Sequence, residues 1–203
     1  MIVLGITGSI GMGKSVAAAQ LRSLGVPVHD ADAQVHALLA KHGPAVAAVS
    51  REFPGTVQDG QVDRARLGAL VFADEAALAR LEAIIHPLVR RRGMAFIARA
   101  QRRRLSLVAL DIPLLFETGG EGQCDVVAVV SCPAFLQEQR VLRRPGMTRA
   151  RLASIRSRQM PDADKRRWAD YVIPSGNGRR ASLRRLVVIV NALRQGRRRT
   201  SDA

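Results

Sequence analysis

Lys14 closes the run Gly8-Ser9-Ile10-Gly11-Met12-Gly13-Lys14-Ser15, which fits G-x-x-x-x-G-K-[ST] at every position. Glycines in such a turn let consecutive backbone N–H groups point inward around a polyphosphate, where a Cβ would collide. The helix that follows directs its positive N-terminal end at the same anion. Lys14 would bring a point charge to the β and γ phosphates, and the Ser15 hydroxyl would ligate Mg²⁺. Gly8, Gly11, Met12, Gly13, Lys14, Ser15 and Val16 are therefore the candidate ATP-binding residues. Composition alone would produce this pattern in such a chain with a probability on the order of 10⁻³.

Carboxylates come next. Asp111 ends an apolar run, as a Walker-B carboxylate does, and would hold Mg²⁺ directly or through water. An acid at a strand end also serves as a turn or cap residue. Asp30 and Asp32 bracket one alanine after a second short apolar run. One of them suits the N-cap of the next helix, and the other suits proton acceptance from an attacking hydroxyl. Asp32 is the expected base and Asp30 its structural or acceptor-orienting partner. Arg140, Arg143 and Arg144 sit at helical spacing, where an arginine helix can close over phosphates or simply form a solvated basic face. His86, beside Pro87, reads equally as a packed histidine or as a substrate contact. The loop Ile112-Pro113-Leu114-Leu115-Phe116-Glu117 is apolar, and it suits either a partly apolar second substrate or plain core packing. Pro113, Leu114, Leu115 and Glu117 are its substrate-facing candidates.

These residues need a scaffold that brings turns together. Ile2–Ile6, Val26–His29, Leu105–Leu110, Val126–Val130 and Ala169–Ile173 read as strands, mostly as continuous apolar runs of the kind covered on both faces. Ser15–Leu24, Ala33–Lys41 and Ser182–Arg194 read as helices. Asp63–Arg104 is mostly helical, with Asp74 as an N-cap and a break or kink at His86 imposed by Pro87. Phe135–Met160 is a helical, arginine-rich region broken at Pro145-Gly146. The tail, Gly196–Ala203, is polar and reads as frayed. Alternating strands and helices imply a three-layer α/β/α fold around a parallel sheet. Ligands then bind at the carboxyl ends of the strands, so the turns holding Gly8–Ser15, Asp30–Asp32 and Asp111–Glu117 are expected to face one crevice.

Composition narrows the partners. The formal charge is +15, of which the first hundred residues carry +3 and the remainder +12, so the partner is expected to be anionic. Only three of the 32 basic residues are lysines, which makes Lys14 more informative than any single arginine. Seven aromatics are few for a protein that stacks on bases, and no zinc or helix-turn-helix pattern stands out, so nucleic acid is an improbable partner. There is no N-K-x-D guanine reader. No apolar run has the roughly 18 residues of a membrane span, and the opening Met1–Ile6 lacks the layout of a secretory signal. Cys124 and Cys132 form no disulfide framework, which fits a reducing, cytoplasmic setting.

The chain resembles the dephospho-coenzyme A kinases from Ile2 to about Leu193. The resemblance rests on Gly8–Ser15, Asp30-Ala31-Asp32, His86-Pro87, Asp111-Ile112-Pro113-Leu114-Leu115-Phe116-Glu117 and Cys132-Pro133 followed by Gln137-x-x-Arg140. Arg158-Gln159-Met160-Pro161 and Ala169-Asp170-Tyr171-Val172-Ile173 extend it. Pro174-Ser175-Gly176 departs from the family's commoner Asp-Asn-Ser/Gly near the adenine. The resemblance implies one P-loop kinase domain over 1–203. Its core would be 1–40, 105–134 and 169–195, with a helical substrate-binding part at 41–104 and a lid at 135–165. It implies ATP with Mg²⁺ as donor and the ribose 3′-hydroxyl of dephospho-coenzyme A as acceptor. A monomer or weak homo-oligomer is the expected assembly. Asp32 would be the base and Arg140 the lid arginine. Another P-loop metabolite or nucleoside monophosphate kinase, and a nucleotide-dependent nucleic-acid-binding module, are the competing expectations.

Overall fold

A computed structural model describes residues 1–196; Arg197–Ala203, most of the polar tail, lie outside the described residues. The chain divides into two compact units, Met1–His29 with Arg99 onward, and Asp30–Ala98.

The first unit is built on a five-stranded parallel sheet. Its strands are β1 (Ile2–Thr7), β2 (Val28–Asp30), β5 (Leu107–Asp111), β6 (Val126–Ser131) and β7 (Tyr171–Pro174), in the order β2-β5-β1-β6-β7. Every residue of β5 and β6 is buried, which explains their unbroken apolar runs: both faces of these strands are covered. Alternate side chains of β6 serve different layers. Ala128 and Val130 pack with Leu21 of helix α1 (Lys14–Ser23) and with Leu186, Ile189 and Leu193 of helix α9 (Arg179–Arg194). Val127 and Val129 pack with Leu115 and Phe116 on the other side. Helices α6 (Ala134–Leu142), α7 (Arg149–Ser157) and α8 (Asp162–Trp168) complete this unit, with a break at Arg143–Thr148 that contains Pro145-Gly146. The sheet and its helical layers are the expected α/β architecture.

The second unit is mainly helical. It holds α2 (Ala31–Leu39), α3 (Val46–Glu52), α4 (Arg64–Ala73) and most of α5 (Glu75–Arg102). Leu38, Val49, Phe53, Leu67, Val71 and Ile85 form its core. Asp63 caps α4 through the N–H groups of Ala65 and Arg66, and Asp74 accepts from Ala76 N–H at 2.8 Å at the start of α5. A two-stranded antiparallel hairpin, β3 (Val57–Gln58) and β4 (Gln61–Val62), is an addition to the expected elements. Pro87 does not break its helix: α5 runs through it for 28 residues. Ala83 and Pro87 are both exposed, so water can serve the carbonyl that loses its N–H partner. No helix among the described residues is long and apolar enough to cross a membrane.

Candidate active site

The glycine-rich turn expected to bind phosphate connects β1 to α1. Two of its glycines adopt backbone angles that L-residues rarely take. Gly11 has φ +77°, and a Cβ there would stand 2.5 Å from Val141 Cγ2. Gly13 has φ +93° and opens α1, accepting from Val16 N–H at 3.0 Å. Helix α1 has no side-chain N-cap and no acid in its first turn, so its leading N–H groups are served by neither. Ser15 and Val16 lie in that first turn, and Ser15 is exposed.

Lys14 Nζ stands 2.6 Å from Asp111 Oδ1. Asp111 is the last residue of β5 and pairs in register with Ile6 of β1, so adjacent strands bring the two together. The carboxylate side chain is only 4% exposed, whereas Lys14 keeps 16% of its side chain in contact with solvent. A cation and two oxygen donors, Ser15 Oγ and the Asp111 carboxyl, thus belong to one turn and its neighbouring strand.

The flanks of the turn are tied down by side chains. Met12 is buried, and its sulfur accepts from Cys132 N–H at 3.2 Å. Ser175 Oγ donates to Met12 C=O. Arg140 donates to Ser175 Oγ at 3.0 Å and to its C=O at 2.7 Å. The guanidinium of Arg140 is therefore bound to the loop after β7, while Arg143 and Arg144 are exposed. Thr7 Oγ1 donates to Pro113 C=O at 2.9 Å, linking the turn to the apolar loop after β5.

In the second unit the paired aspartates differ. Asp30 is the N-cap of α2, accepting from Ala33 N–H at 3.0 Å. Asp32 is exposed in the first turn of the same helix. His86 is exposed on α5.

Two of the expected substrate contacts lie against protein. Leu115 is fully buried and packs with Phe116, Val127 and Val129, so it is core. Glu117 faces protein: its Oε1 lies 2.8 Å from Lys165 Nζ and accepts from Met160 N–H at 2.9 Å. In a loop, side-chain direction follows local turns rather than a fixed period, so neighbouring residues separate unpredictably. Leu114, 37% exposed, and half-buried Pro113 remain at the surface.

The family model of dephospho-CoA kinase matches residues 2–181. The chain belongs to the dephospho-CoA kinase family. A dephospho-CoA kinase of Paramagnetospirillum magneticum is 68% identical over 166 residues, 82% of this chain and 78% of that one. One from Rhodospirillum rubrum is 59% identical, covering 98% of this chain and 94% of the relative. The crystal structure of TT1252 from Thermus thermophilus superposes with a TM-score of 0.82 at 39% identity, covering 94% of this chain and 96% of that one.

Several residues of this member of the dephospho-CoA kinase family gain contacts that motif matching leaves blank. Gln137 Nε2 donates to Ile10 C=O at 2.8 Å, and Gln159 Oε1 accepts from Ile10 N–H at 3.1 Å. Ser175 joins Met12 to Arg140. Lys165, with no exposed surface, pairs with Glu117. The scarcity of lysine offered the one hint of that last pair.

Proposed function

We propose that this chain transfers the γ-phosphoryl group of ATP to the ribose 3′-hydroxyl of dephospho-coenzyme A, giving coenzyme A and ADP, the final step of coenzyme A synthesis. One observation carries this reading: the match to the dephospho-CoA kinase family extends from the phosphate-binding turn through the helical segment to residue 181. The two free cysteines support a reducing, cytoplasmic setting.

In this reading the N–H groups of Gly11–Ser15 and the first turn of α1 bind the triphosphate, with Lys14 facing the β and γ oxygens. Asp32 accepts the proton as the hydroxyl oxygen attacks the γ phosphorus. The new O–P bond forms, the bridge to the β phosphate breaks, and ADP carries away the bonding pair. Exposure of Asp32 supports this role, because the proton acceptor has to be reachable by a substrate hydroxyl. Asp30, occupied as a cap, orients the start of α2. Arg140 contributes positive charge beside the turn. Pro113 and Leu114 are assigned to acceptor binding, together with His86.

The donor chemistry of Ser15 Oγ and the Asp111 carboxylate fits Mg²⁺, a hard cation that takes oxygen ligands and shares its remaining sites with phosphates and water. When bound, the ion neutralises charge on the β and γ oxygens.

A coupled ADP-release assay across acceptors tests the reading. Dephospho-coenzyme A should be turned over fastest. Faster turnover of AMP, GMP or shikimate would replace it with another P-loop kinase activity, and salt-sensitive RNA or DNA binding without turnover would favour a nucleic-acid-binding role.

A further inference from the structure

Ile10 lies within the phosphate-binding turn, and both its backbone polar groups are taken by side chains from the 134–160 stretch. Gln159 receives its N–H, and Gln137 Nε2 donates to its C=O. A primary amide can make that second bond only with its nitrogen toward Ile10. Arg156 sets this orientation: its Nε, at 3.1 Å, and one terminal nitrogen both donate to Gln137 Oε1. Turning the amide over would set donor against donor at Arg156 and acceptor against acceptor at Ile10. Gln137 is 4% exposed, so water cannot easily replace either bond.

Gly11 packs against Val141 of α6, whose Cγ2 leaves no room for a Cβ, and the rest of this side borders an open cleft. A cavity of about 270 Å³ is lined by Ser9 and Met12 of the turn and by Gln137, Arg156 and Gln159. At Ile10 itself, the directional bonds to Gln137 and Gln159 fix the backbone.

We propose that Arg156 is a positioning residue for nucleotide binding. Acting through Gln137, it fixes the backbone of Ile10 and so aims the N–H groups that follow, from Gly11 to Ser15, into the phosphate cradle. Its role differs from that of an arginine that touches phosphate. The inference rests on reading Gly8–Ser15 as the ATP site.

Fluorescence titration of the full chain with MANT-ATP, alongside thermal melting, tests it and needs no acceptor, so an error in the acceptor's identity leaves the result intact. Arg156→Met should weaken binding about tenfold, the scale expected for a lost charge-assisted hydrogen bond. Arg156→Lys retains a donor and should stay within about threefold of wild type. Gln137→Glu is the decisive variant. It keeps the shape and offers Arg156 a carboxylate, but presents an acceptor to the Ile10 carbonyl. It should bind MANT-ATP at least as weakly as Arg156→Met while melting near the wild-type temperature. Were Arg156 only a brace between α6 and α7, Gln137→Glu would strengthen that brace and leave nucleotide binding intact. That outcome, or wild-type affinity in Arg156→Met, overturns the proposal while the ATP site stands. A wild-type chain that binds no MANT-ATP overturns the nucleotide-site reading and this inference with it.

Discussion

The ammonium of Lys14 is held 2.6 Å from the carboxylate of Asp111, across the boundary between the phosphate-binding turn and the end of the neighbouring strand. Under the proposed reading, a triphosphate entering the turn meets a cation already paired with a nearly buried acid. Strands β1 and β5 are in register at Ile6 and Asp111, so the sheet fixes the carboxylate end of this pair, and the first residue of α1 supplies the ammonium.

Lys14→Ala should lower kcat/KM by about 10²–10³, because a fixed charge facing the transferred group is lost. Lys14→Arg should also be impaired, since a planar fork does not occupy the place of a compact ammonium. Steady-state kinetics with ATP and dephospho-coenzyme A checks both, and wild-type kcat/KM in Lys14→Ala would remove the lysine from the mechanism.

The two aspartates after β2 should separate cleanly. Asp32→Asn keeps the shape but cannot take a proton, so kcat should fall by about 10²–10⁴ with little change in ATP affinity. Asp30→Asn should stay active, because asparagine caps helices as well as aspartate does. Asp30→Ala should destabilise the fold by about 1 kcal/mol. Denaturant melts and single-turnover kinetics read the two effects apart, and equal kcat losses in both Asn variants would contradict the division of roles.

The sheet and the phosphate-binding turn were legible because their physics is local. Ile2–Ile6 and Val126–Val130 are apolar at every position, which only doubly covered strands require. The glycine-lysine run predicts a tight turn between β1 and α1, where Gly11 and Gly13 adopt positive φ. The β3–β4 hairpin also had a written cue: Asp59-Gly60 sits at its tip, with φ of +49° and +76° as a tight two-residue turn demands. Its strands, two residues each, are too short to show alternation. Helix α8 has seven residues, three of them basic, and offers no apolar period to read. Pro87 misled because its effect depends on which face of the helix meets water. The fates of Leu115, Glu117 and Lys165 depend on partners distant in sequence, which no spacing rule encodes.

Lys165→Met should be far more disruptive than its position in a short helix suggests. Removing the lysine leaves the Glu117 carboxylate largely buried beside the Met160 N–H, at a cost of about 3–5 kcal/mol. Calorimetry should record a Tm lower by roughly ten degrees. Lys165→Met combined with Glu117→Leu should regain much of that loss, since an apolar pair avoids the stranded charge. A single variant as stable as wild type would show that the pair carries no structural weight.

Cys124 should be inert. Burial, with smaller contributions from the nearby charges of Asp125 and Glu121, pushes its thiol from 9.0 to about 12. At pH 8 the thiolate is scarce, so iodoacetamide should label Cys124 only after denaturation. The sign of the pH effect follows from the raised value. Above pH 9 the folded chain keeps a proton that the unfolded chain releases, so stability should fall as pH climbs from 9 toward 12. Cys124→Ala should flatten that slope, as followed by urea melts across the range. Rapid labelling of the native protein would contradict the burial.

Phosphorus NMR of the product formed from ATP and dephospho-coenzyme A reads the central claim at the reacting atom. The account predicts a new monoester resonance coupled to the ribose 3′ proton, appearing in step with ADP. Phosphorus attached at another oxygen, or ATP consumed with the acceptor returned unchanged, would contradict it.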